Sequence, residues 1–319
     1  MKAKSSPTPT WHPPSIKTWP PSKVGVVVIG RNEASRLAEC LASVTRIARA
    51  VVYVDSGSTD GSIALAERCG THTIELSSDL PFSAARARNA GADWLRAHVE
   101  GLEYIQFLDG DCLLEPEWMA TALAFMTDTP DAAALCGRRR ERYPEASWYN
   151  RLCDIEWDTP VGIVSTCGGD ALMRLAALDD VGGFAPELIA GEEPDLCHRF
   201  RRAGWTIHRL DRDMSCHDAA MMRFGQWWQR NRRSGYAMAE GLARRGREDP
   251  GLIRTVLSNL LWSLPVAWPF WPILWLLVMR RRGALYASFV VLGKLPHLQG
   301  QLDFWKHPPT RLRTLIEYK

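Results

Sequence analysis

Residues 24–29 read VGVVVI, a continuous apolar run dominated by β-branched side chains. That is the pattern of a strand covered on both faces, because a half-exposed strand alternates apolar with polar residues. Helical spacing follows over residues 33–47 and completes a first strand–helix unit. The unit then recurs. Residues 50–54 read as a strand and 60–69 as a helix, with Ser58, Thr59 or Asp60 as its N-cap. A third strand covers residues 71–76, a long helix 83–98 and a fourth strand 104–108. Strands alternating with helices, without hairpin signals, predict an α/β fold of Rossmann-like type, a mostly parallel sheet with helices on both faces. Ligands bind such sheets beyond the carboxyl ends of the strands, so the residues just after each strand matter most.

From residue 115 the pattern loosens. A helix is expected near 118–126, a strand near 132–136, a Gly168-Gly169 segment, and a helix near 195–203. A short strand after Gly204 and a polar-aromatic helix over about 222–245 precede an apolar tail. The 319 residues suffice for one large α/β domain with appendages. With 46% hydrophobic and 24% charged residues the composition is globular, while 14 tryptophans and 20 prolines raise the prospect of membrane contact. The formal charge is only +3, yet arginines cluster at 138–142, 199–202, 230–233, 244–247 and 280–282. Such patches suit phosphates or anionic lipid, although any one cluster taken alone reads first as a solvated face; no nucleic-acid polymer is expected as a partner. Eight cysteines stand singly, with no C-x-x-C pair, and read as small core residues in a reducing compartment. The first 22 residues lack any apolar stretch and are expected to form a disordered or surface-lying Pro-rich arm, neither a signal peptide nor a membrane span.

Aspartates recur at the strand ends. Asp55 follows the second strand, and Asp109-Gly110-Asp111 follows the fourth. Asp, Ser and Gly are also turn residues, so Asp55 alone could be turn chemistry. The triplet is harder to explain that way. Two carboxylates two residues apart in extended backbone point the same way, and Gly110 lets the chain turn with no side chain intervening. Paired anions call for a cation, and hard oxygen donors favour Mg²⁺ or Mn²⁺, which in turn take phosphate oxygens. The sequence has no G-x-x-x-x-G-K-[ST] loop and no G-x-G-x-x-G after a strand. Neither a P-loop hydrolase nor a dinucleotide dehydrogenase is therefore supported.

The segments VVVIGRNEASRLAECLASV, VYVDSGSTDGS, ARARNAGA, FLDGDCLLEPEW, GGDALMR, GGFAPELIAGEEPDLCHRFRRAGW and WWQR, in that order and spacing, resemble the family 2 glycosyltransferases of GT-A fold. The resemblance covers residues 24–240. It implies a metal-dependent, inverting transferase using a nucleotide-sugar donor. Gly30, Arg31 and Glu33 would line the nucleotide, Asp55 would meet the base, and Arg88 would face the nucleotide or its phosphates. Asp109 would contact ribose and metal, and Asp111 the metal directly, with His217 as a further metal or diphosphate ligand. Gly169 and Asp170 of GGDALMR, and Arg230 of WWQR, complete the implied donor site. Glu193 falls where the family places its catalytic aspartate, with Glu192 as the fallback. Acids there also favour a helix N-terminus, with Pro194 a good first-turn residue. WWQR departs from the Q-x-x-R-W signature of processive members. A nucleotidyltransferase of similar fold, or an inactive nucleotide-sugar-binding partner of a membrane complex, are the rival readings.

Residues 252–279 include LLWSLPVAWPFWPILWLLVM, about long enough to cross a bilayer but interrupted by Pro265, Pro269 and Pro272. Arginines flank both ends, which places both on the cytoplasmic side and favours a re-entrant or interfacial hairpin over a straight span. The closing GKLPHLQGQLDFW and TLIEYK segments resemble the ends of bacterial envelope-polysaccharide glycosyltransferases, which implies a lipid-linked or glycan acceptor at the cytoplasmic face of the inner membrane. The expected organisation is the arm 1–22, a catalytic domain 23–217 with a nucleotide-sugar half 23–114 and an acceptor half 115–217, an amphipathic aromatic and basic helix 218–250, and an apolar, helical, membrane-associated tail 251–319.

Overall fold

The computed structural model describes residues 23–306. The expected arm 1–22 and the closing residues 307–319, TLIEYK among them, lie outside the described residues.

Among the described residues, nine strands form one sheet: β1 (Val24–Gly30), β2 (Ala50–Asp55), β3 (His72–Glu75), β4 (Tyr104–Asp109), β5 (Cys112–Leu114), β6 (Ala132–Glu141), β7 (Gly162–Ile163), β8 (Ala171–Arg174) and β9 (Thr206–His217). Their order is β3-β2-β1-β4-β8-β6-β9-β5, with β7 beside β9. The helices are α1 (Ala34–Val44), α2 (Ser62–Arg68), α3 (Ala84–His98), α4 (Trp118–Asp128), α5 (Trp148–Glu156), α6 (Leu175–Val181), α7 (Glu192–Arg202), α8 (Phe224–Arg245), α9 (Pro250–Ser263), α10 (Trp271–Leu292) and α11 (Lys294–Lys306).

The first four strands pair in parallel, as their apolar runs predict. The valines of β1 divide between two cores: Val26 and Val28 pack with residues of α1 and α4, while Val27 and Ile29 pack with residues of α3, α6 and α7. That is why the strand shows no polar alternation. A Cβ on Gly91 would stand 2.4 Å from Val27 Cγ1, so this glycine lets α3 lie directly on β1.

The mostly parallel sheet holds only for that half. β8 runs antiparallel to both β4 and β6, β5 and β7 run antiparallel to β9, and only β6–β9 is parallel, so the sheet is mixed. Strands two to four residues long reached through loops need no crossover helix and leave no apolar run to read. The strand after Gly204 is not short: β9 spans 12 residues, paired to β6 through register shifts.

The aromatic face of α8 turns inward rather than toward a surface. Trp227 and Tyr236 are buried against Phe289 and Phe304 of the tail helices. A Cβ on Gly300 would lie 1.8 Å from Arg232 carbonyl oxygen, so α11 crosses α8 at backbone contact. The apolar segment is broken at its prolines: α9 and the chain from Pro265 onward meet at 95°, and among the described residues no single helix is long and apolar enough to cross a membrane. The bend rules out a straight helix through the segment. It leaves Leu257, Leu261, Val266, Phe270, Ile273 and Leu277 more than half exposed.

Candidate active site

The carboxyl ends of β1 and β4 open into a cleft of about 590 Å³. At its floor Gly110 donates its N–H to Ile29 carbonyl oxygen at 2.8 Å, and a Cβ there would meet that oxygen at 3.2 Å. Gly110 thus lets β4 turn tightly, presenting Asp109 and Asp111 to the cleft. β5 then pairs antiparallel with β9, setting Cys112 opposite His217. This register brings His217 Nε2 within 3.3 Å of Asp111 Oδ1.

The charges are mutually dependent. Burial and Asp170 push the Asp109 carboxyl upward, against Arg88 and Arg139. Burial also opposes ionisation of Asp111, but the hydrogen bond and charge of His217, with Arg36 and Arg139, outweigh it and lower its pKa. Burial would lower His217, yet its bonds to Asp111 and Glu141 raise it to about 9.

Around the Asp109-Gly110-Asp111 loop, two clusters of described residues could take a cation: Asp111, Cys112 and His217, and Asp109, Cys112 and Asp170. Burial and Asp170 hold the shared Cys112 thiol well above its ordinary pKa, and for a hard cation the carboxylate oxygens and the imidazole nitrogen are the preferred ligands over sulfur. His217 Nδ1 faces Glu141 Oε2 at 3.9 Å. Hard oxygens facing an arginine-lined cleft fit Mg²⁺ or Mn²⁺.

Gly30, Arg31, Glu33, Asp109, Asp111, His217 and Arg230 all line the cleft. Arg31 lies over the Phe82 ring at 5.4 Å, and Glu33 ion-pairs with Arg36. Arg230 Nη1 lies 2.6 Å from Glu156 Oε2. The other expected site residues stand behind this lining. Asp55 is fully buried and accepts hydrogen bonds from Tyr53 and Ser58, the latter through both its N–H and its hydroxyl. Arg88 joins Asp109, at 3.0 Å, to Glu192, at 2.8 Å. Gly169 makes room for that guanidinium, since a Cβ would sit 2.6 Å from Arg88 Nη2. Asp170 accepts from Asp109 N at 3.0 Å and from Ser215 at 2.8 Å, so it positions the Asp109-Gly110-Asp111 loop from beneath.

Glu192 and Glu193 open α7 behind Gly191, whose φ of 79° suits glycine. Glu193 is buried, and its Oε1 accepts from Cys167 N at 2.7 Å and from the Cys197 thiol at 2.9 Å. Among the described residues it forms no ion pair, unlike Glu192.

Sequence reading missed Arg139. Its guanidinium lies 2.9 Å from Asp170 and 3.5 Å from Asp109, with its carbon 5.5 Å from the centre of the Trp157 ring. Trp157 in turn meets His217 edge to face. Arg36, Glu141, Ser215 and Trp157 were also missed. The usable signal was the 138–142 arginine run ending a strand, beside a site already rich in aspartate.

Mixed sheet, paired aspartates at the end of β4 and a basic cleft define an α/β transferase fold of GT-A type. The chain is a member of glycosyl transferase family 2, whose family model matches residues 25–180. Glycosyltransferase AglE of Haloferax volcanii is 25% identical over 257 residues, 76% of this chain and 80% of that protein. Among solved structures, mannosyltransferase PcManGT from Pyrobaculum calidifontis, in complex with GDP-Man and Mn²⁺, superposes with a TM-score of 0.58 at 19% identity, over 93% of this chain and 84% of that one. Glucosyl-3-phosphoglycerate synthase from Mycobacterium tuberculosis, in complex with Mn²⁺, UDP and glucosyl-3-phosphoglycerate, gives a TM-score of 0.52 at 18% identity, over 74% of this chain and 87% of that one. The chain is thus a glycosyltransferase, and at these identities the structural likenesses establish its fold.

Proposed function

We propose that the protein is a metal-dependent, inverting glycosyltransferase that moves a sugar from a nucleoside-diphosphate donor to a hydroxyl of a lipid-linked or glycan acceptor. The observation that carries this reading is the cleft itself, where Asp109, Asp111 and His217 converge beside Arg36, Arg230 and Arg233. Asp111, His217 and Asp109 would hold Mg²⁺ or Mn²⁺, which supplies positive charge to the diphosphate when bound.

The chain's own groups do the rest. Arg31 and Glu33 bound the nucleotide end of the cleft, next to Phe82. Arg230 and Arg233, which line the same cleft, stabilise charge growing on the departing diphosphate. Glu193 takes the proton from the acceptor hydroxyl as that oxygen bonds to the anomeric carbon from the face opposite the leaving group, which inverts the configuration. Glu192 is the weaker candidate because Arg88 already neutralises it. Glu193→Gln, shown to be folded, is expected to lower transfer at least ~100-fold with donor affinity kept, whereas Glu192→Gln acts through Arg88 and weakens donor binding. Normal transfer by Glu193→Gln contradicts the assignment.

Location at the cytoplasmic face of the inner membrane is part of the same proposal. Its support is the exposed apolar surface of α9 and α10 next to the exposed Arg280, Arg281 and Arg282, a combination suited to an anionic bilayer surface.

A further inference from the structure

A second side-chain cluster lies outside the hard-cation site. Cys167, in the loop before β8, and Cys197, one turn after Glu193 on α7, bring their Sγ atoms to 3.6 Å. Glu193 Oε1 lies 2.9 Å from Cys197 Sγ, and one ligand atom from each of the three residues falls within 4.8 Å of the others. For a tetrahedral zinc with Zn–S bonds of about 2.3 Å, two sulfur ligands stand about 3.8 Å apart, so the thiols are almost at bonding separation already.

The carboxylate supplies an independent argument. Glu193 is buried, and among the described residues no Lys, Arg or His forms an ion pair with it. Its neighbours on α7 are paired, Glu192 with Arg88 and Asp195 with Arg199. A buried anion without a counter-cation is costly unless a cation joins it. Sulfur ligands select against Mg²⁺ and Mn²⁺ and in favour of zinc-type ions. Cys197 is fully buried but Cys167 is partly exposed, which gives an ion a way in.

We propose that Cys167, Cys197 and Glu193 form a second, soft-metal site that takes a zinc-type divalent ion, and that filling it inhibits transfer by withdrawing Glu193. Binding exchanges two thiol protons for one metal ion: both S–H bonds give way to metal–sulfur bonds, two protons leave to solvent, and no oxidation state changes. The hydrogen bond with Cys197, and then burial, raise the Cys167 thiol above its ordinary pKa, and burial raises that of Cys197, so occupancy rises with pH. The binding half stands on the geometry alone, and the inhibitory half rests on Glu193 being the base.

The test uses the full-length, metal-free protein in a non-thiol reductant, titrated with Cd²⁺ as a spectroscopic stand-in for zinc. A thiolate-to-metal charge-transfer band saturating at one equivalent is expected. Cys167→Ser and Cys197→Ser should each lose at least about half its intensity and weaken binding at least ~10-fold, as expected for loss of a ligand. Cys69→Ser, at an exposed cysteine elsewhere, should keep the band. No band at one equivalent, or an unchanged band in both cysteine variants, overturns the site. One equivalent of Zn²⁺ in saturating Mn²⁺ should then lower wild-type transfer at least ~10-fold, and Cys197→Ser should resist it. A bound ion with undiminished transfer overturns the inhibition and with it the role of Glu193, whereas failure to bind leaves that role intact.

Discussion

The Arg139 guanidinium lies 2.9 Å from the carboxylate of Asp170, a side chain with no solvent exposure. Asp170 in turn holds Asp109 N, so this ion pair sits directly beneath the Asp109-Gly110-Asp111 loop. Removing the arginine alone strands a buried charge. Arg139→Met is therefore expected to destabilise the fold by about 3 kcal/mol, and the double variant with Asp170→Asn by less than the sum of the two single changes. Denaturant unfolding of the four proteins checks this, and strict additivity contradicts the coupling.

Glu240 on α8 is the clearest source of pH-dependent stability. Burial, with Glu187 and Asp195 adding to it against Arg244, raises its carboxyl to about 7. A carboxyl raised in the folded state keeps its proton there more tightly than in the unfolded chain. Stability is therefore full below the ordinary Glu range, near 4.5, and falls as pH rises toward about 7. Glu240→Gln should remove that loss and be more stable than the parent at pH 8 by about 1–2 kcal/mol, allowing for partial solvent access, with little difference at pH 4.5. Melting curves at the two pH values decide it.

The bilayer reading predicts an electrostatic component from Arg280, Arg281 and Arg282. With about 1 kcal/mol for each basic residue near an anionic surface, neutralising all three to Gln should weaken binding to phosphatidylserine-containing vesicles on the order of 100-fold. Cosedimentation at low and moderate salt measures it. Equal binding to anionic and neutral vesicles by the parent protein would contradict the orientation.

Much of this was legible in the chain. The apolar runs of β1, β2 and β4 could belong only to doubly covered strands, and Asp109-Gly110-Asp111 stood where such sheets bind ligands. His217 was anticipated through its family likeness, and β9 carries it to Asp111. The chain beyond β4 hid its strands because β5, β7 and β8 are too short to set a period, and the register shifts between β6 and β9 break the alternation on which strand reading depends. Arg139 was lost in an arginine run because sequence shows charge but not which face of β6 it occupies. The engagement of Asp55 by Ser58, and of Glu193 by Cys197, depends on side-chain directions that spacing does not encode.

The most direct test is release of nucleoside diphosphate from a panel of nucleotide-sugars by the parent protein and by Asp111→Asn, each with Mn²⁺ or with chelator. Release that needs the metal and falls at least ~100-fold in Asp111→Asn is the expected result, since the variant keeps the fold but loses a charged ligand. Release at equal rates in chelator, or in Asp111→Asn, would contradict a metal-dependent transferase centred on Asp109-Gly110-Asp111.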